Sequence, residues 1–216
     1  RTGHAHPGST TVAQAVAASS AFPPGFPPLV LEPDHPAAFQ NPQVPLSALE
    51  AISLTDGGVY DNLGLEPVWK DAETLLVSDA GAPFSFTDDP PHDIVHRLKR
   101  CFDVSDDQSR AVRKRWLIAS FIKGIMDGTY WGIATNYQDY ELPDAQGYEG
   151  PVLDALDSVR TDLDSFSEGE IGCLENHGYA LADAALRKHV SSLVPSPVPV
   201  FQWPKPDFAP GKDAAW

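Results

Sequence analysis

Residues 53–69, with the sequence SLTDGGVYDNLGLEPVW, contain the groups that acid–base chemistry needs. Asp56 follows a short apolar run at 51–55, which predicts a strand, and precedes Gly57 and Gly58. A carboxylate at the carboxyl end of a parallel strand lies at the crevice where open α/β sheets bind ligands. The glycines permit positive φ and let a substrate approach the carboxylate closely. Asp56 is therefore our candidate general base, and the alternative is an aspartate that only shapes a turn.

Asp79 is the second candidate for the same role. It ends another short apolar run, LLVS at 75–78, and is followed by a small residue and a glycine. Between the two candidates, Asp61 and Asn62 are expected to cap or orient the turn after the glycines. The Glu66-Pro67 pair is typical of the first turn of a helix.

The histidines and cysteines do not point to a metal centre. His92 and His96 have the i, i+4 spacing of helical metal ligands, but no glutamate lies between them as the H-E-x-x-H motif requires. Cys101 and Cys173 lack C-x-x-C spacing and are too few for a disulfide framework. We expect two buried thiols in a reducing, cytoplasmic compartment, and one long-range disulfide between them stays open as the alternative.

Composition limits the class of protein. The chain has 216 residues, of which 42% are hydrophobic, and no apolar run reaches the roughly 18 residues of a membrane span. With 15 Lys and Arg against 30 Asp and Glu, its formal net charge is −15. Binding to nucleic-acid phosphates needs a cationic surplus, so this composition argues against a nucleic-acid partner. The length and apolar content are those of a folded chain with a sizeable core.

The charges are separated along the chain. Residues 97–123 hold 8 of the 15 basic residues, four of them between positions 110 and 115. Residues 139–175 hold 11 acids and a single base, Arg160. Two solvated faces that partly neutralise each other explain this pattern. The alternative is a local cationic face that contacts lipid headgroups at the periphery of a membrane.

The positions of prolines and apolar residues predict where regular structure lies. Of the 21 prolines, 9 fall in residues 1–45 and 6 in 195–216, so both ends are expected to be looped, including an excursion at 22–45. Continuously apolar strands at 51–55 and 75–78 favour a parallel sheet covered on both faces. The predicted helices are a buried one at 10–21 capped by Thr10, one with Val112, Trp116, Ile118, Phe121, Ile122 and Ile125 on its apolar side, and two at 153–163 and 171–190. Trp203 or Trp216 is expected to pack the tail down.

Several segments in this order resemble the second half of a patatin-like phospholipase domain of the bacterial type. TVAQAVAASSAFPPGFPP is similar to the family's helix with an A-x-x-A-S-S-A pattern and the P-x-x-F-P-P loop after it. DGGVYDNLGLEP is similar to the strand end that carries D-G-G or D-G-A. TLLVSDAGAPF, RWLIASFIKGIMDGTYWGI and RTDLDSFSEGEIGCLENHGYALADAAL extend the likeness, which covers residues 11–186 and leaves a proline-rich tail at 190–216.

The resemblance implies an α/β fold, a three-layer α/β/α sandwich with a mostly parallel central sheet. It implies the hydrolysis of lipid acyl esters without a cofactor, so the expected partner is a lipid or ester substrate. The family uses a Ser-Asp dyad, in which the serine lies on a G-x-S-x-G elbow and a glycine-rich loop binds the oxyanion. Asp56 matches the dyad aspartate, the general base that accepts the serine proton directly. Gly57 and Gly58 complete the matching motif.

The family's nucleophile does not occur in this sequence. No serine has glycine at both the −2 and +2 positions, and no glycine-rich oxyanion loop is present. Both precede the D-G-G segment in the family, and the sequence opens at Arg1 without an initiator methionine. We therefore expect residues 1–216 to be the C-terminal portion of a single patatin-like domain, incomplete and inactive without the N-terminal part of the same polypeptide. The alternative is an inactive descendant that serves as an interaction domain.

The aromatic residues of GTYWGIATNY leave open a further alternative, a carbohydrate-active module. Tyr130, Trp131 and Tyr137 would stack on sugar rings, while Asp56 and Asp79 would act as the acid and the base. A strand at the edge of the core explains the same aromatic residues without any ligand.

Overall fold

The computed structural model describes residues 4–5, 10–23, 25–31, 39–40, 44–81, 84, 86–160 and 164–211. The chain divides into two compact units, residues 1–66 and residues 67–216. It is mixed α/β, as the sequence predicts, and its described residues form three two-stranded sheets, of which one is parallel. Within those ranges, no helix combines the length and the apolar character that crossing a bilayer requires.

The first unit contains two antiparallel strand pairs: β1 (His4–Ala5) with β3 (Phe39–Gln40), and β2 (Leu29–Leu31) with β4 (Ile52–Leu54). β4 is the strand predicted at 51–55. Its partner is antiparallel, so the prediction of a parallel sheet is wrong for this strand. The partner comes from the excursion predicted as loop at 22–45, because a three-residue apolar segment there pairs with β4.

The helix predicted at 10–21 is α1 (Val12–Ser19), which is shorter and less buried than expected. The residue that caps it is Thr11 rather than Thr10, because Thr11 and Gln14 form a capping box. The Thr11 hydroxyl accepts the Gln14 N–H at 3.2 Å, and the Gln14 side chain accepts the Thr11 N–H at 2.8 Å. Ala18 is the buried residue of the helix, so its other alanines supply helix propensity rather than a core face.

A strand–helix–strand crossover organises the second unit. β5 (Thr74–Asp79) and β6 (Asp127–Gly132) are parallel, and the 29-residue α3 (Ile94–Ile122) lies between them in the chain. β5 is the strand predicted at 75–78, and its parallel pairing is as expected. Its burial alternates, with Leu75, Val77 and Asp79 buried and the residues between them exposed. Only one face of β5 is therefore covered, contrary to the expectation of two.

α3 includes the helix predicted around Val112 to Phe121 but differs from it at the C-terminal end. Gly124 takes a φ of +63° just after the helix, so Ile125 lies outside it. Val112, Trp116, Ile122 and Ile125 are 54%, 39%, 81% and 71% exposed, so the predicted apolar side is wrong for these four residues. The buried residues of α3 are Leu117 and Ser120.

The core of the second unit is built on α5 (Glu168–His189), the helix predicted at 171–190. It starts one turn earlier than predicted because Ser167 and Glu170 form a capping box. Its buried residues are Gly172, Cys173, Asn176, His177, Ala180, Leu181, Ala184 and Ala185. α4 (Pro151–Asp157) is shorter than the helix predicted at 153–163, of which 161–163 lie outside the described residues.

The tail packs on Tyr148 through Trp203, one of the two residues predicted to hold it, and on α5 through Lys205. The Trp203 ring lies 5.8 Å from that of Tyr148 and 5.0 Å from that of Phe201. The Lys205 N–H donates to the Asn176 side chain at 2.9 Å, and the Asn176 amide donates back to the Lys205 carbonyl at 2.8 Å. The other predicted residue, Trp216, lies outside the described residues.

Candidate functional site

Asp56 lies in the first unit, two residues after β4. Its N–H donates a hydrogen bond of 3.0 Å to the carbonyl of Ala21, a buried residue just beyond the end of α1. The strand before Asp56 is antiparallel to its neighbour, so the argument from the carboxyl end of a parallel strand does not hold for this residue. What positions Asp56 instead is its attachment to the end of α1.

The Asp56 carboxylate is half-buried and held from one side. Oδ1 accepts the Gly58 N–H at 2.7 Å. Oδ2 has no protein hydrogen-bond partner within the described part of the chain. One oxygen is therefore fixed by the backbone while the other keeps its lone pairs for an incoming proton donor.

The two glycines after Asp56 do not use positive φ, contrary to the sequence-based expectation. Gly57 has a φ of −62°, and Gly58 is the first residue of the single-turn α2 (Gly58–Asp61). At Gly58 the approach is close instead, because a Cβ there would lie 2.9 Å from Asp56 Oδ1 and 2.9 Å from Asn62 Oδ1, and these two side chains would have to shift. Around Gly57 no atom of the described residues lies within 4 Å of a Cβ position, so this side of the turn is open to that part of the chain.

Asp61 orients the turn that follows α2, as predicted. It is buried, and its Oδ2 accepts the Glu66 N–H at 2.6 Å. The helix expected to begin at Glu66-Pro67 is not formed, since residues 66–71 adopt turns.

Asp79, the rival candidate, lies in the second unit at the carboxyl end of β5. It is 8% exposed, and both of its oxygens have partners. Oδ2 accepts the Tyr130 hydroxyl at 2.7 Å, while Oδ1 accepts the Gly81 N–H at 3.0 Å and lies 3.8 Å from an Arg110 nitrogen. Burial, followed by the hydrogen bond to Asp79, raises the pKa of Tyr130 well above its usual range.

A cleft of about 440 Å³ opens beside Asp79. Its charged lining residues include Asp107, Arg110 and Lys114 of α3. The Arg110 guanidinium lies 3.4 Å from Asp107, and the Lys114 ammonium lies 4.5 Å from the centroid of the Tyr130 ring. Two of the four basic residues between positions 110 and 115 therefore line this cleft.

Asp56 and Asp79 differ in the property that a general base needs. A base must offer an oxygen to the proton donor within hydrogen-bond reach. The Asp79 carboxylate is buried and engaged at both oxygens, which suits a group that fixes β5 to β6 and α3. Asp56 keeps one oxygen unengaged within the described residues. Of the two carboxylates, Asp56 is therefore the one with an oxygen open to a proton donor.

Sequence reasoning missed the partners of Asp79, which are Tyr130 and Arg110. The signal that could have found Tyr130 is the parallel pairing of β5 with β6. This pairing places Gly132 opposite Asp79, and Tyr130 lies two residues before Gly132. Tyr130 and Trp131 are half-buried, and Trp131 packs against the cluster of Tyr140, Leu181, Ala184 and Ala185. Tyr130 and Trp131 therefore lie in a strand beside the core, as the plainer sequence interpretation holds, whereas Tyr137 begins a short 3-10 helix, Tyr137–Tyr140.

The histidines and cysteines are placed as follows. His92 precedes α3, and the His96 ring nitrogen lies 2.7 Å from Asp93, so the two histidines do not share a helical face. In the described ranges no group of three His, Cys, Asp or Glu side chains could hold a metal ion.

Both cysteines are free thiols; Cys173 is buried, but Cys101 is exposed on α3, contrary to expectation. Burial raises the pKa of the Cys173 thiol.

Comparison of the chain with protein-family models, with curated proteins and with solved structures found no match in any of the three.

Proposed function

We propose that this chain carries the aspartate-bearing part of a patatin-like lipid acyl hydrolase, with Asp56 as the general base of a Ser-Asp dyad. The observation that carries the proposal is the hydrogen bond from the Asp56 N–H to the Ala21 carbonyl. It joins the end of the A-x-x-A-S-S-A helix to the D-G-G turn, the two segments on which the resemblance mainly rests. Contact between them supports a common scaffold for one active site.

In the proposed reaction, a serine hydroxyl gives its proton to Asp56 as its oxygen attacks the carbonyl carbon of the ester. The Gly58 N–H holds Oδ1 at 2.7 Å and leaves Oδ2 to receive that proton. Asp56 then returns the proton to the departing alcohol. A water molecule then gives a proton to Asp56 as it attacks the acyl carbon, and Asp56 passes that proton to the serine oxygen as the bond to the fatty acid breaks. The serine and the oxyanion-binding loop belong to the N-terminal part of the polypeptide in this proposal.

The proposed fold is a three-layer α/β/α sandwich. The parallel pair of β5 and β6 would belong to its central sheet, and α3 to one of its outer layers. A strand–helix–strand crossover is the unit from which such sheets are built, and this supports the assignment. The same proposal makes residues 1–216 one portion of a single domain.

The proposal is tested by expressing residues 1–216 joined to the polypeptide encoded immediately upstream. We expect that segment to contain G-x-S-x-G, and the joined protein to hydrolyse a short-chain p-nitrophenyl ester and a phospholipid. A p-nitrophenyl glycoside, the substrate for the carbohydrate alternative, should not be hydrolysed. Residues 1–216 alone serve as the inactive control. An upstream segment without the motif, or a joined protein without esterase activity, contradicts the proposal.

A further inference from the structure

Exposed apolar residues lie on one side of α3 in two groups, at 94–102 and 112–116, with Ser105 and Ser109 between them. Trp116 also packs edge-on against Trp69, with ring centroids 4.2 Å apart, and the same side is buried further along, at Ser120. Six apolar residues on this side of α3 keep between 39% and 69% of their surface exposed: Ile94, Val95, Leu98, Phe102, Val112 and Trp116. At 3.6 residues per turn, all six fall within about 100° of the helix circumference. This set is the apolar face of α3. An apolar face of this size on one helix marks an interaction surface more often than chance exposure does.

Arginines flank the apolar face of α3. Arg97 and Arg115 are exposed about 60° from one of its edges, and neither pairs with a carboxylate in the described part of the chain. Of the aspartates in the helix, Asp103 and Asp107 lie on the other side and pair with cations of α3 at 2.8 Å and 3.4 Å. The remaining one, Asp106, is half-buried and has an interaction partner. The flank of the face is therefore locally cationic.

We propose that the apolar face of α3 binds a membrane surface that contains anionic lipids, with the helix lying in the plane of that surface. Helices of this type bury their apolar side chains about 5–10 Å into the boundary between headgroups and acyl chains. The flexible stems of Arg97 and Arg115 let their guanidinium groups reach lipid phosphates beside the buried stripe. This inference stands on the geometry of α3 and does not depend on the proposed hydrolase activity.

The net charge of −15 does not oppose this binding mode at physiological ionic strength. Charges separated by more than the Debye length, about 8 Å, are largely screened. Of the acid-rich residues 139–175, Asp139 comes beside α3, where it lines the cleft at Arg110 and Lys114. At one edge of the apolar face the half-buried Arg113 and Asp106 both have interaction partners. The exposed charges beside the other edge are Arg97 and Arg115, whose sign is complementary to anionic headgroups.

A second copy of the chain fits the apolar face of α3 less well than a lipid surface does. In a symmetric dimer the same patch contacts itself, and antiparallel α3 helices would bring Arg97 of one copy towards Arg115 of the other. Like charges held at such a contact oppose association. Anionic lipid phosphates neutralise the same two residues.

The experiment measures binding of the chain to vesicles of phosphatidylcholine alone and of phosphatidylcholine mixed with phosphatidylglycerol. Cys101 is exposed beside the apolar face and Cys173 is buried, so a polarity-sensitive fluorophore can be attached at Cys101 selectively. We expect co-sedimentation with the anionic vesicles, a blue shift of the probe on binding, and weaker binding at high salt. Absence of both co-sedimentation and shift overturns the proposal.

Two pairs of variants separate the charge and the apolar contributions. Arg97→Gln with Arg115→Gln should weaken binding to anionic vesicles by roughly fivefold per arginine. Lys188→Gln with Lys205→Gln, the same charge change at ion-paired surface lysines, should leave binding nearly unchanged. Equal weakening by the two pairs would show a non-local charge effect and contradict the proposal.

The apolar contribution is tested with Leu98→Asn and Phe102→Asn together, which should abolish the blue shift. Val200→Asn, at a residue that is 86% exposed outside α3, is the matched control and should keep it. Sedimentation without vesicles tests the second-copy alternative. Self-association that the Leu98 and Phe102 pair removes would assign the face to a second copy and overturn binding to lipid.

Discussion

The Tyr130 hydroxyl donates a hydrogen bond of 2.7 Å to the Asp79 carboxylate, across 51 positions of sequence. The two residues lie on the neighbouring parallel strands β6 and β5, with Val77 directly opposite Tyr130. Arg110 of α3 approaches the same carboxylate, so one buried acid links three elements. Because both Asp79 oxygens have partners, we assign Asp79 a structural role and propose Asp56 as the base.

Removing the Tyr130 hydroxyl should destabilise the protein. Tyr130→Phe leaves the buried Asp79 carboxylate short of a donor, and the free energy of unfolding should fall by about 2 kcal/mol. Urea unfolding followed by circular dichroism measures the change. Tyr179→Phe is the control, since Tyr179 is 50% exposed and its ring contact with Phe201 survives the change. Equal stability of the two variants would show that the Tyr130–Asp79 bond contributes nothing.

Gly128 is required by the contact between β5 and β6. Its φ is +143°, and a Cβ there would lie 1.9 Å from the Leu75 carbonyl oxygen, a backbone atom that cannot move aside. Gly128→Ala should lower the free energy of unfolding by on the order of 3 kcal/mol or more. Gly178→Ala, inside α5 with no atom within 4 Å of the Cβ, should raise it by about 1 kcal/mol. Opposite signs of the two changes in urea unfolding confirm the register of the parallel pair; a neutral Gly128→Ala contradicts it.

His177 should make stability fall as the pH decreases below about 6.5. Burial lowers the pKa of His177 from its usual 6.5, and its Nε2–H donates to the Ile133 carbonyl at 2.7 Å. Below pH 6.5 the unfolded chain takes up a proton that the folded chain does not, so acidification favours unfolding. Comparing urea unfolding at pH 7.5 and 5.5, about one pH unit on either side of that value, measures the slope.

Substituting His177 isolates its share of that slope. His177→Gln should show a shallower decrease than the unsubstituted chain, while His92→Gln, at a side chain that is 92% exposed, should not change it. Burial also lowers the pKa of His189, so His189 adds to the same decrease in stability in every variant. An unchanged slope in His177→Gln would contradict the burial of a neutral His177.

Glu170 should stabilise the start of α5 at neutral pH and lose that effect in acid. The Ser167 N–H, 2.7 Å from its carboxylate, and Arg160 lower the pKa of Glu170 to about 2. A carboxylate whose pKa is lowered in the folded state stabilises that state at pH values above its usual pKa of 4.5. This contribution is lost as the pH falls towards 2. Glu170→Gln should therefore be less stable than Glu168→Gln at pH 7, with the difference shrinking in acid. Equal stability of the two at neutral pH would exclude this role of the capping box.

Local sequence patterns predicted the elements better than they predicted how the elements pair. α5 and β5 were predicted within about a turn or a residue of their bounds, because capping residues and apolar runs act over a few positions. β2 was missed, since three apolar residues between prolines give almost no periodic signal. The antiparallel partner of β4 follows from long-range pairing, which local patterns do not encode.

The candidate site was only partly predictable. The turn role of Asp61 could be predicted, because short carboxylate side chains close turns by accepting backbone N–H groups. The role of Asp56 as a base stays a prediction. The role of Gly58 could not be predicted, since it depends on how close its Cβ position comes to the Asp56 and Asn62 side chains. That Asp79 is engaged on both sides could not be predicted either, because Tyr130 reaches it from a distant strand.

The proposed role of Asp56 as the general base is tested most directly by the rate of ester hydrolysis in two variants of the protein joined to its upstream segment. Asp56→Asn should lower kcat by about 10³-fold or more, as expected when a general base is removed, while leaving the free energy of unfolding close to that of the parent. Asp79→Asn should instead lower stability and keep kcat per folded molecule. Retained hydrolysis in Asp56→Asn, with loss of kcat in folded Asp79→Asn, would contradict the assignment of Asp56 as the base.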